Sequence, residues 1–409
     1  MSMVNIKSSG SNYRWYVLIL AALTFTFVCA TPVVCMSVLF KEISDDLGLS
    51  LVQVGAIWGM PSFAALFVVF LGGLMADRFG AKRVIGIACL LGGLAGAMRG
   101  LTGDFISLAV VTFFFGLSTW IIPASVFKTT ATWFSGRPLV IANGVVSTGM
   151  ALGFTVGAMI SATVLSPLLG GWENVLFLYG GVSFMFGLLW FFTVREPEQP
   201  GLSGSGGGVP LRQSIASVFP NKAVWLIGLT LLGYSACVQG MAGYLPTYLR
   251  DMGWTVASAD GTLATFNGLS TLGAIPLALL SHRLGLKKVL LFPILFITII
   301  GVALLPVVSS AMVWVLMIVV GVVRDGFMAV CLTMSTETEG VGVVYAGTAM
   351  GLVQTIVNVG NVISPPLGNS LAGADPGFPF FLWAAFGLLG LVVFCFVKET
   401  GWRQKQLPA

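Results

Sequence analysis

Apolar windows of about 20 residues recur along this chain, and each is long enough to cross the ~30 Å hydrocarbon core of a bilayer as a helix. Twelve can be marked, at 15–40, 51–74, 84–101, 106–127, 138–165, 172–194, 222–249, 258–280, 288–307, 310–332, 341–368 and 378–397. Charged residues are only 9% of the 409, and hydrophobic residues are 57%, whereas an ordinary soluble domain carries ~25% charge. A water-facing surface cannot be built from that composition. The expectation is an all-α membrane protein of twelve transmembrane helices.

An even number of spans puts both termini on one side, and the distribution of Lys and Arg says which. Sixteen lie on the side of the termini, among them Lys7, Arg14, Lys222 and Lys398; the other side has Lys41, Arg99 and Arg250. Both termini are therefore expected in the cytoplasm. The net charge of +5 reflects this asymmetry and is no nucleic-acid signal. The polar start, Met1 to Arg14, leads into a first span of about 26 residues, longer than a signal-peptide core, so it is expected to remain as the first helix. The six cysteines all fall within spans and show no CxxC spacing, which argues against disulfides and a metal site. No cofactor is implied. The compact loops and the lack of organelle-targeting signals fit a multi-pass protein of a prokaryotic inner (plasma) membrane.

Between the sixth and seventh windows, 195–221 contains Pro197, Pro200, Pro210 and a Ser/Gly run from Ser203 to Gly208, the composition of a flexible linker. It divides the chain into an N-terminal six-helix bundle (1–194), a cytoplasmic linker (195–221) and a C-terminal six-helix bundle (222–409). The halves resemble each other. Ala76-Asp77-Arg78-Phe79-Gly80-Ala81-Lys82-Arg83 aligns with Ser281-His282-Arg283-Leu284-Gly285-Leu286-Lys287-Lys288 at an offset of 205, and Gly116 then falls on Gly321. Ser166-Pro167-Leu168-Leu169-Gly170 matches Ser364-Pro365-Pro366-Leu367-Gly368 at 198, with Gly149 and Gly153 landing on Gly347 and Gly351. Duplication of a six-helix unit accounts for this pattern. A longer loop after the fourth span is expected to absorb the seven-residue difference.

Gly73, Asp77, Arg78, Gly80, Lys82 and Arg83 resemble the signature loop between helices 2 and 3 of the major facilitator superfamily. The resemblance covers nearly the whole chain and implies two pseudo-symmetric six-helix bundles that alternate access to a central cavity. It further implies that Asp77 and its basic neighbours hold the halves together on the cytoplasmic side in the outward-open state. In the second copy His282, beside Arg283, cannot act as that anion. Pro123, Trp133, Phe134 and Arg137, ahead of a Gly-rich fifth span, are similar to the organic-anion branches: anion:cation symporters, the oxalate:formate type and monocarboxylate porters. Gly144, Gly149, Gly153 and Gly157 in that span read more simply as sites of close helix packing.

Arg324 and Asp325 stand side by side halfway along the tenth window. A central Arg costs ~2.5–3.5 kcal/mol on insertion scales, so intramembrane charge usually marks a transport pathway. In the superfamily, helices 1, 4, 7 and 10 face the cavity, which makes the tenth span the right place for substrate contact. The guanidinium fork of Arg324 suits a carboxylate, and the structural alternative is a neutral pair pinning helix 10 to its neighbours. Asp325 shares a stripe with Gly321 and Ala329, small residues that let a neighbouring helix come close. Of fifteen acidic residues it is expected to be the one deep in a span, Asp260 and the others lying in or beside loops. Asp325 is therefore the candidate for proton coupling: an anion claiming Arg324 would loosen its hold on Asp325, which then takes up a proton. In the first half the same positions are Thr119 and Trp120, so duplication does not explain the pair.

Gly347, Gly351, Gln354, Asn358, Asn361 and Pro365 share one face of the eleventh span by their spacings of three and four. The amides of Gln354, Asn358 and Asn361 are candidates for substrate contact or for helix-to-helix hydrogen bonding. Tyr234, Gln239, Asn267 and Trp120 complete the candidate substrate-binding set, with ordinary core packing as the competing reading for Trp120. Tyr244 and Tyr248 fit an aromatic belt at the outer surface. Arg99 is expected to snorkel outward from the end of the third span, Lys128 to anchor at the interface, and His282 to lie in a cytoplasmic loop.

The function that follows is secondary transport of a small, monocarboxylate-like organic anion, by proton symport or anion exchange. Two other readings stay open: a proton-coupled exporter of hydrophobic or cationic compounds, in which Asp325 faces the ligand, and a non-transporting membrane sensor. The expected partners are the substrate, protons and the lipid bilayer. No Walker-type nucleotide loop is present, which disfavours ATP-driven pumping, and no enzymatic activity is implied.

Overall fold

The computed structural model describes residues 11–69, 71–195 and 216–400. Among them twelve helices are long and apolar enough to span a membrane, and no strand is present. They are α1 (Tyr13–Leu47), α2 (Leu51–Val68), α3 (Ala81–Leu101), α4 (Phe105–Trp133), α5 (Ile141–Leu169), α6 (Trp172–Thr193), α7 (Lys222–Asp251), α8 (Val256–Leu284), α9 (Lys287–Leu304), α10 (Ser310–Glu337), α11 (Tyr345–Asn369) and α12 (Phe378–Phe396). A short helix, Leu71–Phe79, lies between α2 and α3. Most of the linker, together with Lys7, Arg212, Arg403 and Lys405, falls outside the described residues.

Local chemistry sets where helices begin and bend. Ser50 and Gln53 form a capping box at α2, Asp104 caps α4 through the Ser107 amide, and Thr255 caps α8 through the Ser258 amide, satisfying donors that a helix start leaves free. Helix α1 is interrupted by a π-helical turn, Phe25–Ala30, and Pro32 follows directly. Proline lacks the amide that would continue the ladder, so the regular hydrogen bonding of α1 is interrupted where those two features meet.

The internal repeat reappears as a packing contact. A Cβ on Gly116 would lie 2.7 Å from Pro61 Cα, and one on Gly321 would lie 2.7 Å from the Phe266 carbonyl oxygen. Pro61 and Phe266 are separated by the same offset as the two glycines, so α2 crosses α4 as α8 crosses α10. Gly149, Gly153 and Gly157 receive the backbone of α1, with Thr26 and Thr31 donating to the Gly149 and Gly153 carbonyls at 2.7 and 3.0 Å. Gly144 meets nothing and is no packing site. The offset between halves is taken up by helix length and not by a longer loop: the turns before α5 and α11 are both short, but the helix starts twelve residues before Gly149, at Arg137, and only five before Gly347, at Gly342.

The first six helices pack mainly on one another, as do the last six, and contact between the groups runs mainly through α2 with α11, α5 with α8 and α1 with α7. The polar links joining them lie toward the end opposite the termini. Lys41 pairs with Asp251 at 3.4 Å, Asn369 donates to the Leu51 carbonyl at 2.8 Å, Thr163 donates to Asp260 at 3.1 Å, and the Trp58 indole donates to the Gln239 carbonyl at 2.9 Å. Small residues let the backbones meet there: a Cβ on Gly55 would lie 2.7 Å from Pro365 and Pro366, and one on Gly59 3.0 Å from the Val362 carbonyl. The two halves are sealed at that end.

Several sequence expectations change. Asp260, expected in or beside an outer loop, stands in the first turns of α8, where it is fully buried instead of watered and pairs with Arg250 at 2.5 Å. A buried carboxylate needs such a partner, and its burial shows that depth along a span is not the only way an acid here leaves water. Arg99 does not snorkel. It is fully buried, its Nη1 donating to the Pro32 carbonyl at 3.1 Å and its guanidinium lying 4.0 Å from the Phe115 ring centroid. Tyr244 and Tyr248 form no surface belt. Both are buried in a cluster with Phe380 and Trp383, and Tyr244 donates to the Pro376 carbonyl. Lys128 is no interface anchor: half-buried, it donates to the Ala76 carbonyl at 2.8 Å and ties α4 to the Leu71–Phe79 helix. His282 is not in a loop but in the last turn of α8, where it is exposed.

Candidate functional site

The site begins with a glycine. Gly321, one turn before Arg324, admits the α8 backbone at Phe266, and Gly273 on α8 receives the Val322 carbonyl in return. That close crossing puts the next polar residues of α8 within reach of α10. Arg324 Nη1 donates to Asn267 Oδ1 at 2.6 Å, and Ser270 Oγ donates to Asp325 Oδ2 at 2.6 Å. Arg324 Nε lies 3.2 Å from Asp325 Oδ1, so α8 holds both members of the pair from one helical face. Asn267 and Ser270 are buried, whereas the Arg324 and Asp325 side chains keep 22% and 37% exposure.

Two aromatic residues complete the frame. The Arg324 guanidinium lies 5.0 Å from the Phe266 ring centroid, within cation–π range. Tyr234 of α7 stacks on Phe327 with centroids 4.2 Å apart and donates to the Arg324 carbonyl at 3.3 Å. Tyr234 is itself buried, so its observed role is to position α10. No described residue is bonded to Arg324 Nη2. The guanidinium therefore has one ionic neighbour, one amide neighbour and a free corner, an arrangement that can accept an oxyanion without dismantling its support.

The site faces the other half of the molecule. Gly268, beside Asn267, packs on Thr155 of α5. On α11, Asn361 accepts from Ser235 of α7 at 2.8 Å, which ties it to the residue next to Tyr234. Asn358 is buried and donates to the Gln354 carbonyl at 2.9 Å, while the Gln354 Oε1 and Asn358 Oδ1 atoms are buried without a partner. Of the remaining candidates, Gln239 contributes its backbone to the cross-half link from Trp58. Trp120 is half-buried on α4 and is not brought against Arg324 by any described contact. Sequence reasoning missed Ser270, although its place three residues after Asn267 is a legible helical-face signal. It also missed the Arg250, Asp260 and Thr163 cluster, because an acid in or beside an outer loop is expected to face water.

The repeated basic loops differ between halves. Gly80 has φ 87° and Gly285 φ 64°, so each break uses a glycine where other residues would be strained. Arg78 and Arg83 are exposed, Arg78 lying 5.4 Å from the Phe79 ring centroid. The side chains of Asp77 and Arg137 lie outside the described residues. In the second half Lys287 pairs with Glu337 at 2.5 Å, Lys288 donates to the Cys395 and Val397 carbonyls, and the Glu399 carboxylate accepts from both lysine amides. His282 and Arg283 are both exposed.

Two packed groups of six helices, sealed at one end and holding a partly exposed ion pair at mid-depth, have the build of a multi-pass membrane transporter. The chain belongs to the major facilitator superfamily, whose family model matches residues 17–346 and 272–409. The family and the fold indicate a transport role. It is 25% identical over 225 residues to the hexuronate transporter of Bacillus subtilis, a match covering 53% of this chain and only about half (52%) of that protein's length. It is 22% identical over 404 residues to the probable sulfoacetate transporter SauU of Cupriavidus necator, covering 91% of each chain. It is also 24% identical over 352 residues to the multidrug resistance protein MdtG of Escherichia coli, covering 85% of this chain and 83% of that one. Among solved structures, a bacterial homologue of the lysosomal transporter Spinster, inward-facing and occupied, superimposes with a TM-score of 0.83 at 16% identity, covering 98% of this chain and 100% of that one. The nucleoside transporter NupG gives 0.75 at 16% identity, covering 94% and 100%.

Proposed function

We propose that this protein is a secondary transporter that moves a small organic anion across the inner membrane by alternating access, with Arg324 binding the carboxylate. The observation that carries the reading is the state of Arg324: a partly exposed guanidinium at mid-span, held by Asn267 and Asp325 and with a free corner. An incoming carboxylate competes with Asp325 for the same fork. Asp325 then keeps the Ser270 hydroxyl and becomes available to a proton, which couples anion and proton movement. Gln354 and Asn358 supply unpaired acceptor oxygens suited to hydroxyl groups on the substrate. The hexuronate and sulfoacetate transporters among its relatives support an anionic cargo. By the distribution of Lys and Arg the termini are cytoplasmic, so the sealed end faces outward. The basic loop around Arg78, Lys82 and Arg83, with Asp77 and its counterpart around His282 and Arg283, would close the other end.

The similarity to MdtG, together with the greater exposure of Asp325 than of Arg324, supports a second reading, export of lipophilic cations with Asp325 as the ligand's counter-ion. Thermal unfolding of the purified protein against a panel separates the two, because a ligand of the folded state raises the transition temperature. Stabilisation by carboxylic acids of two to six carbons, abolished in Arg324→Gln, supports the anion reading. Stabilisation by lipophilic cations alone, abolished in Asp325→Asn, replaces it with the second. Counterflow in liposomes then tests whether binding leads to transport.

A further inference from the structure

A groove of about 540 Å³ runs along the outer face of the first six helices, between α3 and α4. Its floor contains the small side chains Ala88, Ala95 and Ser118, and its walls are the exposed Leu91, Leu94 and Phe114. The notch follows from the helix crossing, since Gly92 brings α3 against Ser118. Between Val84 and Met98 the groove follows α3 for ~21 Å at the helical rise, more than the ~15 Å of hydrocarbon in one leaflet. An extended acyl chain therefore fits it lengthwise.

One end of this apolar groove is charged. Arg83 lines it, is exposed, and forms no ion pair among the described residues. Arg78, also exposed, lies beside Phe79, which lines the same end. The residue matching Arg83 in the repeat is Lys288, and its ammonium is occupied by the Cys395 and Val397 carbonyls. At this position of the repeat the first half leaves its cation without an ion pair among the described residues, whereas the second half ties its cation down. We propose that the groove binds an anionic phospholipid, one acyl chain lying between α3 and α4 and the phosphate meeting Arg83. A basic site between helices at the membrane surface suits an anionic headgroup. Because Arg83 stands in the first turn of α3, directly after the Leu71–Phe79 helix and Gly80, the bound lipid would also fix the position of that junction.

The test uses the full-length protein in nanodiscs and does not depend on which substrate is carried. Competition between phosphatidylglycerol and phosphatidylcholine is read by mass spectrometry of retained lipid. Wild type should prefer phosphatidylglycerol, Arg83→Gln should lower that preference about fivefold, and Leu91→Trp should reduce retention of phosphatidylglycerol by filling the groove. Leu91 faces outward, so a normal unfolding temperature for its variant distinguishes a filled groove from a failed fold. Equal retention of the two lipids by wild type, an unaltered preference in Arg83→Gln, or equal protection by inorganic phosphate would each overturn the proposal.

Discussion

Arg324 donates to Asn267 at 2.6 Å, so the cation at mid-span of α10 is oriented by a neutral amide on α8 and not by its acidic neighbour alone. Hydrogen bonds to charged groups are worth ~1.5–3 kcal/mol. Asn267→Ala should therefore raise the substrate KM by roughly tenfold or more with little loss of folded protein. Asn267→Asp should be worse, because a second carboxylate would hold the guanidinium against the incoming anion. Transport assays in liposomes over a range of substrate concentrations check both.

Asp325→Asn should retain exchange of substrate across the membrane while losing proton-driven accumulation and its pH dependence. Ser270→Ala, which removes one donor to the same carboxylate, should shift the pH profile of transport without abolishing it. An unchanged profile in an active Asp325→Asn protein would remove Asp325 from the coupling step.

Thr163 of α5 and Arg250 of α7 both serve Asp260, but only Thr163 comes from the other half. Thr163→Val should loosen the sealed end by ~1 kcal/mol, read as a severalfold faster reaction of a cysteine placed behind the seal. Arg250→Gln strands a fully buried carboxylate, a loss of ~3–5 kcal/mol by analogy with broken buried pairs. Its signature should be a large drop in unfolding temperature, with Asp260→Asn in the same chain restoring part of it.

Asp104 accepts from the Ser107 amide at the start of α4, a bond that holds its carboxyl below the usual range. A depressed pKa in the folded state contributes stability above the ordinary carboxylate pKa of ~3.9, lost as pH falls through the folded value. The difference in unfolding temperature between wild type and Asp104→Ala should therefore be present at neutral pH and shrink in acid. Asp104→Asn keeps a capping oxygen and should show no such dependence.

The twelve spans were legible because a bilayer demands length and apolarity, and both are read directly from sequence. The place of Gly116 and Gly321 was also legible, since a repeated glycine marks a repeated close crossing. Arg324 and Asp325 stood out for their cost in an apolar run. Their support did not: Ser270 is an ordinary serine until α8 is placed against α10. Asp260 and Arg250 were misread because both lie near helix ends, where sequence suggests water and the fold supplies a buried interface. Arg99 was misread for the same reason. Charge near the end of a span is usually drawn to the surface, and the Pro32 carbonyl and Phe115 ring that hold this one inward become visible only once α1 and α4 are placed beside α3.

The shortest hydrogen bond of Arg99 goes to the Pro32 carbonyl of α1, while its Nη2 has no partner. Drawing α1 away from α3 would leave a dehydrated cation with still less to hold it, and among the described residues no carboxylate pairs with it. Arg99 therefore ties α1 to α3, and in the proposed alternating-access cycle the movement would fall at the α2–α11 and α5–α8 seams, which carry most of the contact between the halves.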